Sequence, residues 1–466
     1  MRELRAIPGS SKRVLLIHDP KGQISCKSRN SAQRRAETPG HFHSSSASAD
    51  PANSNPPANR APFLAEEILL LILSHVNDPG TLAKSAQVSR KWKRLLNDDV
   101  LWRSFCKDRN FEQISRSARS KISRIQRPLP LPGIWKKIYK HNYLTGENWK
   151  RGACKVSSIT SADGDGRDLP MHFDDNWVVS VALGDVGKVW DIETGECHLR
   201  LNGHEGTISA VKFAHRWVVT GGIDSTLKVW DTQSGECVRT LIGHEGEIVA
   251  VECGDDVIVS GSEDMTVRVW SMETGECIEI LTGHTNAVCC LQFDHENIIS
   301  GSADHTIKIW TRNASSQSTP PAPTTLMGHD GHVYCLQLNS SHICSGSQDA
   351  TIKLWRRSDG ECLKTLKGHR AGVVCLQFDE KKLVSGSSDK SIKVWDLNSG
   401  TCLYTLSRHS ETVWNLRFTP TKLITSSFDQ SLLVWDFAFF DDEAEAGGRY
   451  DNIDSDGVED DGNNMI

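Results

Sequence analysis

From about residue 150 to 437 the chain alternates short apolar runs with turn residues, and it does so with a fixed period. One unit reads as strands at 208–213, 217–221 and 227–231, with a fourth at 237–241 after the Ser-Gly turn at 234–235. Apolar residues dominate the first three strands, the pattern of sheets packed face to face. Trp190, Trp230, Trp270, Trp310, Trp355, Trp395 and Trp435 are 40 residues apart, except for one step of 45 whose extra residues fall at 313–325. Gly-His pairs end at His204, His244, His284, His329 and His369, His409 follows Arg408, and each histidine precedes its tryptophan by 26 residues. A period near forty predicts propeller blades, here seven. The last unit ends at Phe437 without a fourth strand, and residues 154–160 can supply it, which closes the ring and removes an open sheet edge.

Ahead of the repeats the pattern turns helical, from 62 to about 107. Residues 62–76 are apolar on more than one helical face, more than a two-layer hairpin buries, so the surplus face needs a partner. Asn77-Asp78-Pro79-Gly80 breaks this helix, and a basic stretch and a Pro-rich breaker (127–133) lead to a short helix around 135–143. Residues 1–60, rich in Ser, Ala, Asn, Pro and Arg, cannot bury enough apolar surface to offset their ordering entropy. The expected organisation is a disordered tail (1–60), an all-α module (61–107), a helical linker (108–152), a mainly β seven-bladed propeller (153–437) and an acidic disordered tail (438–466).

Composition narrows the function. A net charge of −6 over 466 residues offers no general attraction to nucleic acid or an anionic membrane. The longest apolar run, 68–73, is far too short to span a bilayer, and the N-terminus lacks a secretory h-region. Of 14 cysteines, Cys197, Cys237, Cys277, Cys362 and Cys402 recur at one repeat position, which reads as small buried apolar side chains in a reducing compartment. There is no C-x-x-C pair, Walker loop or Rossmann fingerprint, so neither metal nor cofactor is expected. The chain reads as cytoplasmic or nuclear.

Six residues before each tryptophan from the second onward lies an aspartate: Asp224, Asp264, Asp304, Asp349, Asp389 and Asp429. Four residues earlier still is Thr220, Ser260, Ser300, Ser345, Ser385 or Thr425. Ser, His and Asp together suggest a hydrolase triad, but one set per blade argues against it, because one active site suffices. These positions resemble the structural tetrad of the WD-repeat family, in which the histidine bonds the turn aspartate and the hydroxyl, and the tryptophan completes the chain. The first unit departs, with Gly164 and Gly184 at the His and Asp positions, as terminal repeats do.

The helical module resembles an F-box. The family's Glu-Ile-Leu-x-x-Ile-Leu helix matches 67–73, its turn proline Pro79, its following leucine Leu82, its Val-Ser-Arg-x-Trp 88–92 and its closing Leu-Trp-Arg 101–103. Ala65 departs from the usual proline that preorganises the first helical turn. The resemblance implies binding to the Skp-type adaptor of a cullin–RING ubiquitin ligase through Leu64, Ile68, Leu69, Ile72 and Leu73, with Leu82, Trp92 and Trp102. An F-box joined to a WD propeller resembles a ligase's substrate receptor, which itself does no chemistry. The first sixty residues do not resemble the helical segment of dimerising relatives, which points to a monomer. The alternatives are a scaffold without degradation, and a receptor for another cullin system through a Trp-Asp-x-Arg motif, which no blade carries.

The loops before each first strand and between second and third strands line one mouth of the ring. Thr207, Ser209, Glu247, Val249, Ala287, Cys289, His332, Tyr334, Gly372, Val374, Thr412 and Trp414 occupy the surveyed positions after the histidines, and none is arginine. That disfavours a phosphate-reading pocket. Glu205, Glu245, Glu247 and Glu263 make one sector acidic, while His332, Tyr334, Trp414 and Phe428 place aromatics elsewhere, edged by Arg370 and Lys390. The expected ligand is a protein degron with an aromatic or apolar anchor and some basic character.

Overall fold

The computed structural model describes residues 73, 79–85, 89–109, 111, 134–159, 169–173, 177–181, 186–191, 196–214, 216–312 and 322–439. They fall into two units, one either side of the Lys140–His141 junction.

In the first unit, helices α1 (Pro79–Ser85), α2 (Arg90–Leu95) and α3 (Asp99–Asp108) are short, and their ends are set locally. The Ser89 hydroxyl accepts the Trp92 N–H, and the Asp98 carboxylate accepts that of Val100, which satisfies donors that a helix start leaves open. α3 buries Leu101, Trp102, Phe105 and Cys106, the stripe of a one-sided helix, against Leu73, Leu82, Leu95, Leu96, Ile138 and Tyr139.

The fourth helix, α4 (Ile134–Arg151), runs eight residues beyond the segment expected from the sequence. Gly146 interrupts its pattern at a cost of about 1 kcal/mol, and tertiary contacts override it. Trp149 is 5% exposed and stacks on Phe437 at 3.7 Å, its Nε1–H donates to the Pro420 carbonyl at 2.9 Å, and Asn148 donates to the Phe437 carbonyl. Gly152, at φ 72°, ends the helix where a Cβ would come within 2.9 Å of the Tyr404 ring.

In the second unit, 28 described strands form seven four-stranded antiparallel sheets. Blades 1 to 6 span 169–202, 208–241, 248–281, 288–326, 333–367 and 373–406, each sheet ordered as the chain runs. Blade 7 takes three strands from Val413–Phe418, Lys422–Ser427 and Leu432–Asp436, and Lys155–Ile159 pairs with the last of them from Lys155↔Asp436 to Ile159↔Leu432. The chain's two ends therefore close the ring, as the missing fourth strand required. Inner strands neighbour one another from blade to blade, including Leu169–Phe173 beside Val413–Phe418.

Glycine lets the blades approach. A Cβ at Gly261 would come within 2.6 Å of Val288 in the next blade, and one at Gly346 within 2.7 Å of Val373. Side chains then tie inner strands together: Cys335 donates to the Val373 carbonyl at 3.7 Å, Cys375 to that of Val413 at 3.6 Å, and the Gln337 side-chain oxygen accepts the Phe378 N–H.

The recurring cysteines require a correction. Cys237, Cys277, Cys362 and Cys402 are exposed and Cys197 half-buried, because each opens the outer strand, which has a neighbour on one side only. Among the described residues the buried thiols lie instead on a first strand (Cys375), on a second strand (Cys344) and in α3 (Cys106).

Candidate functional site

Two sets of residues sit at one end of each blade, and the first holds the second in place. His204 Nδ1 lies 2.8 Å from Asp224, its Nε2 lies 2.7 Å from Thr220, and Trp230 Nε1–H donates to the same hydroxyl at 2.8 Å. The arrangement recurs with His244, Asp264, Ser260 and Trp270, with His284, Asp304, Ser300 and Trp310, and with His329, Asp349, Ser345 and Trp355. His369, Asp389, Ser385 and Trp395 repeat it, as do His409, Asp429, Thr425 and Trp435, where His409 to Asp429 is a longer 3.2 Å. In blade 1 Trp190 still donates to Ser180 at 2.6 Å, and Gly164 and Gly184 lie outside the described residues.

The proton order follows from the donors. A tryptophan N–H only donates, so the hydroxyl oxygen accepts it and turns its own proton to Nε2, leaving Nδ1–H to donate to the aspartate. A neutral imidazole is what burial favours: it holds His204, His244, His284, His329 and His409 below their ordinary range, against the opposing pull of the aspartate. Burial alone would raise the carboxyls, but backbone N–H, hydroxyl and imidazole donors together hold Asp224, Asp264, Asp304, Asp349 and Asp429 at about 2. Asp389 is likewise lowered. All six hydroxyl residues are fully buried at 0% exposure, with their hydrogen bonds made inside the blade.

Both shifts act in one direction. The unfolded chain binds more protons than the folded one, below about pH 6.5 for these histidines and from about 4 down to 2 for the aspartates. Stability is therefore expected to be full at neutral pH and to fall on acidification, first through the histidine window. Calorimetry from pH 7.5 to 4 is expected to show a steadily falling Tm, and a Tm that held or rose between pH 7 and 5 would contradict this account of the tetrads.

Each aspartate also fixes the mouth of its blade. Its second oxygen accepts N–H and O–H from the residue two places on, as Thr266 donates to Asp264 at 2.9 and 2.7 Å. The residue between them adopts a left-handed conformation: Ser225, Met265, His305, Ala350, Lys390 and Gln430, all with φ of 61–70°. The residue before the aspartate donates its N–H to the carbonyl three places after the histidine, as in Glu263 to Glu247 (2.9 Å), Gln348 to His332 (2.8 Å) and Phe428 to Thr412 (3.1 Å). Backbone hydrogen bonds thus place the surveyed side chains in pairs.

Within that frame Glu247 and Glu263 stand together, Glu263 exposed and Glu247 half-buried. Trp414 (38% exposed) and Phe428 (43%) meet at a ring distance of 5.0 Å. His332 lies 6.1 Å from Tyr334 and 5.7 Å from His305. Arg370 is exposed, and its backbone N–H caps Asp389. Lys390 pairs with Glu411 at 3.2 Å, so its charge is partly compensated. His305, Glu411 and the 46%-exposed Met265 join the mouth without having been singled out from the sequence. Surveying the residue after each turn aspartate would have found His305 and Met265.

Of the adaptor-side residues, Leu73, Leu82 and Trp102 are buried in the first unit's core and Trp92 is half-buried. Leu64, Ile68, Leu69 and Ile72 lie outside the described residues, as do residues 1–60 and 440–466 of the two tails. Among the described residues no helix is long and apolar enough to cross a membrane, and no group of three or more His, Cys, Asp or Glu is placed to hold a metal ion.

Known proteins agree with this architecture. The "F-box-like" family matches residues 66–108, and "WD domain, G-beta repeat" matches 195–231, 235–271, 275–311, 322–356, 360–396 and 400–436. The chain is 32% identical over 156 residues to the "Probable E3 ubiquitin ligase complex SCF subunit sconB" of Arthroderma benhamiae (28% of this chain, 23% of that protein). It is 35% identical over 146 residues to "F-box/WD repeat-containing protein 7" of Drosophila melanogaster (31% and 11%), and 31% identical over 160 residues to an F-box protein of Saccharomyces cerevisiae (30% and 24%). It thus matches less than a quarter of the length of these curated relatives. Among solved structures, the computationally designed Ika8 protein superposes with a TM-score of 0.51 at 36% identity, over 57% of this chain and 82% of that one. With an F-box-like segment followed by WD repeats closed into a ring, the chain belongs to the F-box and WD-repeat proteins.

Proposed function

We propose that this chain is the substrate-recognition subunit of a Skp–cullin–F-box ubiquitin ligase, a monomeric, non-catalytic receptor of the cytoplasm or nucleus. The observation that carries the reading is the joining, in one chain, of an F-box-like segment at 66–108 to a ring whose mouth presents exposed side chains on a rigid frame. A relative matched over 28% of this chain bears the name of an SCF subunit. In this reading Leu64, Ile68, Leu69 and Ile72 meet the adaptor with Trp92, and the buried Leu73, Leu82 and Trp102 hold that surface in shape.

At the mouth, the Trp414–Phe428 pair and Tyr334 with His332 anchor an aromatic or apolar residue of the substrate, and Glu247 and Glu263 favour basic residues beside it. Arg370 and Lys390 set the far edge, where an acidic flank is accepted. Exposed aromatic anchors contribute most at interfaces, typically about 2 kcal/mol or more each.

The decisive experiment is co-purification with a Skp adaptor and cullin, beside an Ile68→Asp/Leu69→Asp variant. Recovery with the wild type and loss of at least tenfold with a folded variant is expected. No adaptor with either protein would mean that Ala65 marks a degenerate F-box and that the chain is a scaffold. Substrate capture is expected to fall at least tenfold in Trp414→Ala/Tyr334→Ala with Tm unchanged, and undiminished capture would remove the aromatic anchor from the reading.

A further inference from the structure

Four blades share a cross-strand pair on the face that carries the tetrad tryptophan. Lys228 donates to Thr240 at 3.1 Å, Lys308 to Thr325 at 2.8 Å, Lys353 to Thr365 at 3.0 Å and Lys393 to Thr405 at 2.8 Å. In each, a lysine two residues before the tryptophan lies opposite a threonine of the outer strand. Blade 3 departs at both positions, with Arg268 opposite Ile280. Isoleucine offers no side-chain acceptor, and the Arg268 side chain has no hydrogen bond or ion pair among the described residues.

Its Nε is enclosed without a partner, while the terminal nitrogens are not enclosed. The guanidinium lies along the Gly243 backbone, where a Cβ would come within 2.7 Å of Nη1. Ile242, beside that glycine, is 77% exposed, Ile280, paired with Arg268 across the strands, is 50% exposed, and Ile278 of the same outer strand is 55% exposed. The strand of Ile278 and Ile280, Cys277–Leu281, is the outer edge of its sheet, with no strand beyond it among the described residues.

We propose that this rim between blades 2 and 3 is a second docking surface, which takes an extended acidic peptide segment of a partner protein. The segment adds a fifth strand along Cys277–Leu281, places one Asp or Glu carboxylate end-on against the terminal nitrogens of Arg268, and packs aliphatic side chains on Ile242, Ile278 and Ile280. Charge complementarity selects the ligand: one guanidinium without a partner, beside exposed aliphatic side chains that a peptide would cover, balances one monoanion. A phosphate dianion would be left half-compensated there.

The test uses the full chain on an array of extended decapeptides, each with one glutamate between aliphatic residues and a glutamine counterpart. The variant Arg268→Lys/Ile280→Thr installs the pair that blades 2, 4, 5 and 6 already use, so it is expected to fold, which its melting curve checks. Binders are expected whose signal falls at least tenfold with glutamine and at least tenfold with this variant, while Trp414→Ala/Phe428→Ala leaves it within twofold. Absence of binders, equal binding by the Lys/Thr variant, or loss only in the mouth variant overturns the proposal. So does a phosphoserine counterpart that binds more than tenfold tighter than glutamate.

Discussion

Trp355→Ala is expected to lower the stability of the propeller by about 3–5 kcal/mol. Trp355 is 2% exposed and packs among Ile299, Ile307, Leu326, Val333, Leu336 and Ile343, residues drawn from blades 4 and 5. Its loss opens a cavity between two rigid sheets that cannot collapse into it, because backbone pairing fixes both. It also removes the donor that sets the Ser345 hydroxyl toward His329. For a domain of this size the change corresponds to a Tm drop of about 6–20 °C. Trp355→Phe keeps most of the volume and loses the N–H, so a smaller loss of about 1–2 kcal/mol is expected from the hydrogen bond alone. Thermal melting of the three proteins separates the two contributions. Equal loss for Phe and Ala would place the stabilisation in the hydrogen-bond chain, and little loss for either would deny the tetrad its structural role.

The second large effect is expected at the closure. Trp149→Ala removes a ring that stacks on Phe437 at 3.7 Å, meets Phe418 at 5.8 Å and lies under the Lys382 ammonium at 4.8 Å. The expected cost is again about 3–5 kcal/mol, but its distribution differs. Blade 7 is the one sheet assembled from both ends of the propeller chain, so it opens first when its latch is lost. Amide exchange is expected to quicken in Lys155–Ile159 and Leu432–Asp436 well before blades 3 to 5. Trp149→Ala/Phe437→Ala is expected to fall short of additivity by about 0.5–1.5 kcal/mol, the coupling of a stacked pair. Uniform exchange across all blades would mean that the helix end does not secure the closure.

Much of the fold was legible because each blade solves the same packing problem with the same residues. A tetrad needs His, Asp, Ser or Thr, and Trp at fixed strand positions, and strands of fixed length convert those positions into a period of 40 with one step of 45. The missing fourth strand of the last unit was legible for a similar reason, since its third strand would otherwise be left with an open edge that the fourth strand covers in every other blade. The extent of α4 was not legible: Gly146 argues against a helix there, and only the burial of Trp149 on Phe437 outweighs it. The recurring cysteines misled because periodicity marks a position in the repeat and says nothing of which strand lies outermost.

The candidate site divides along the same line. Sequence alone placed Glu247, Glu263, Trp414 and Phe428 at constant offsets from a histidine and an aspartate whose hydrogen bond sets the loop, but it did not single out His305, Met265 or Glu411 beside them. It also determined the family, through motifs that the tetrad and the helical module cannot do without. Only the tertiary structure decided what those residues meet: that Trp414 meets Phe428 at a tilt, that Lys390 is compensated by Glu411, and that Arg268 faces an isoleucine where the lysines of blades 2, 4, 5 and 6 face a threonine. Offsets along a chain fix the backbone frame, whereas pairing across strands and between blades depends on register and on which sheet is the neighbour, and those exist only once the ring has closed.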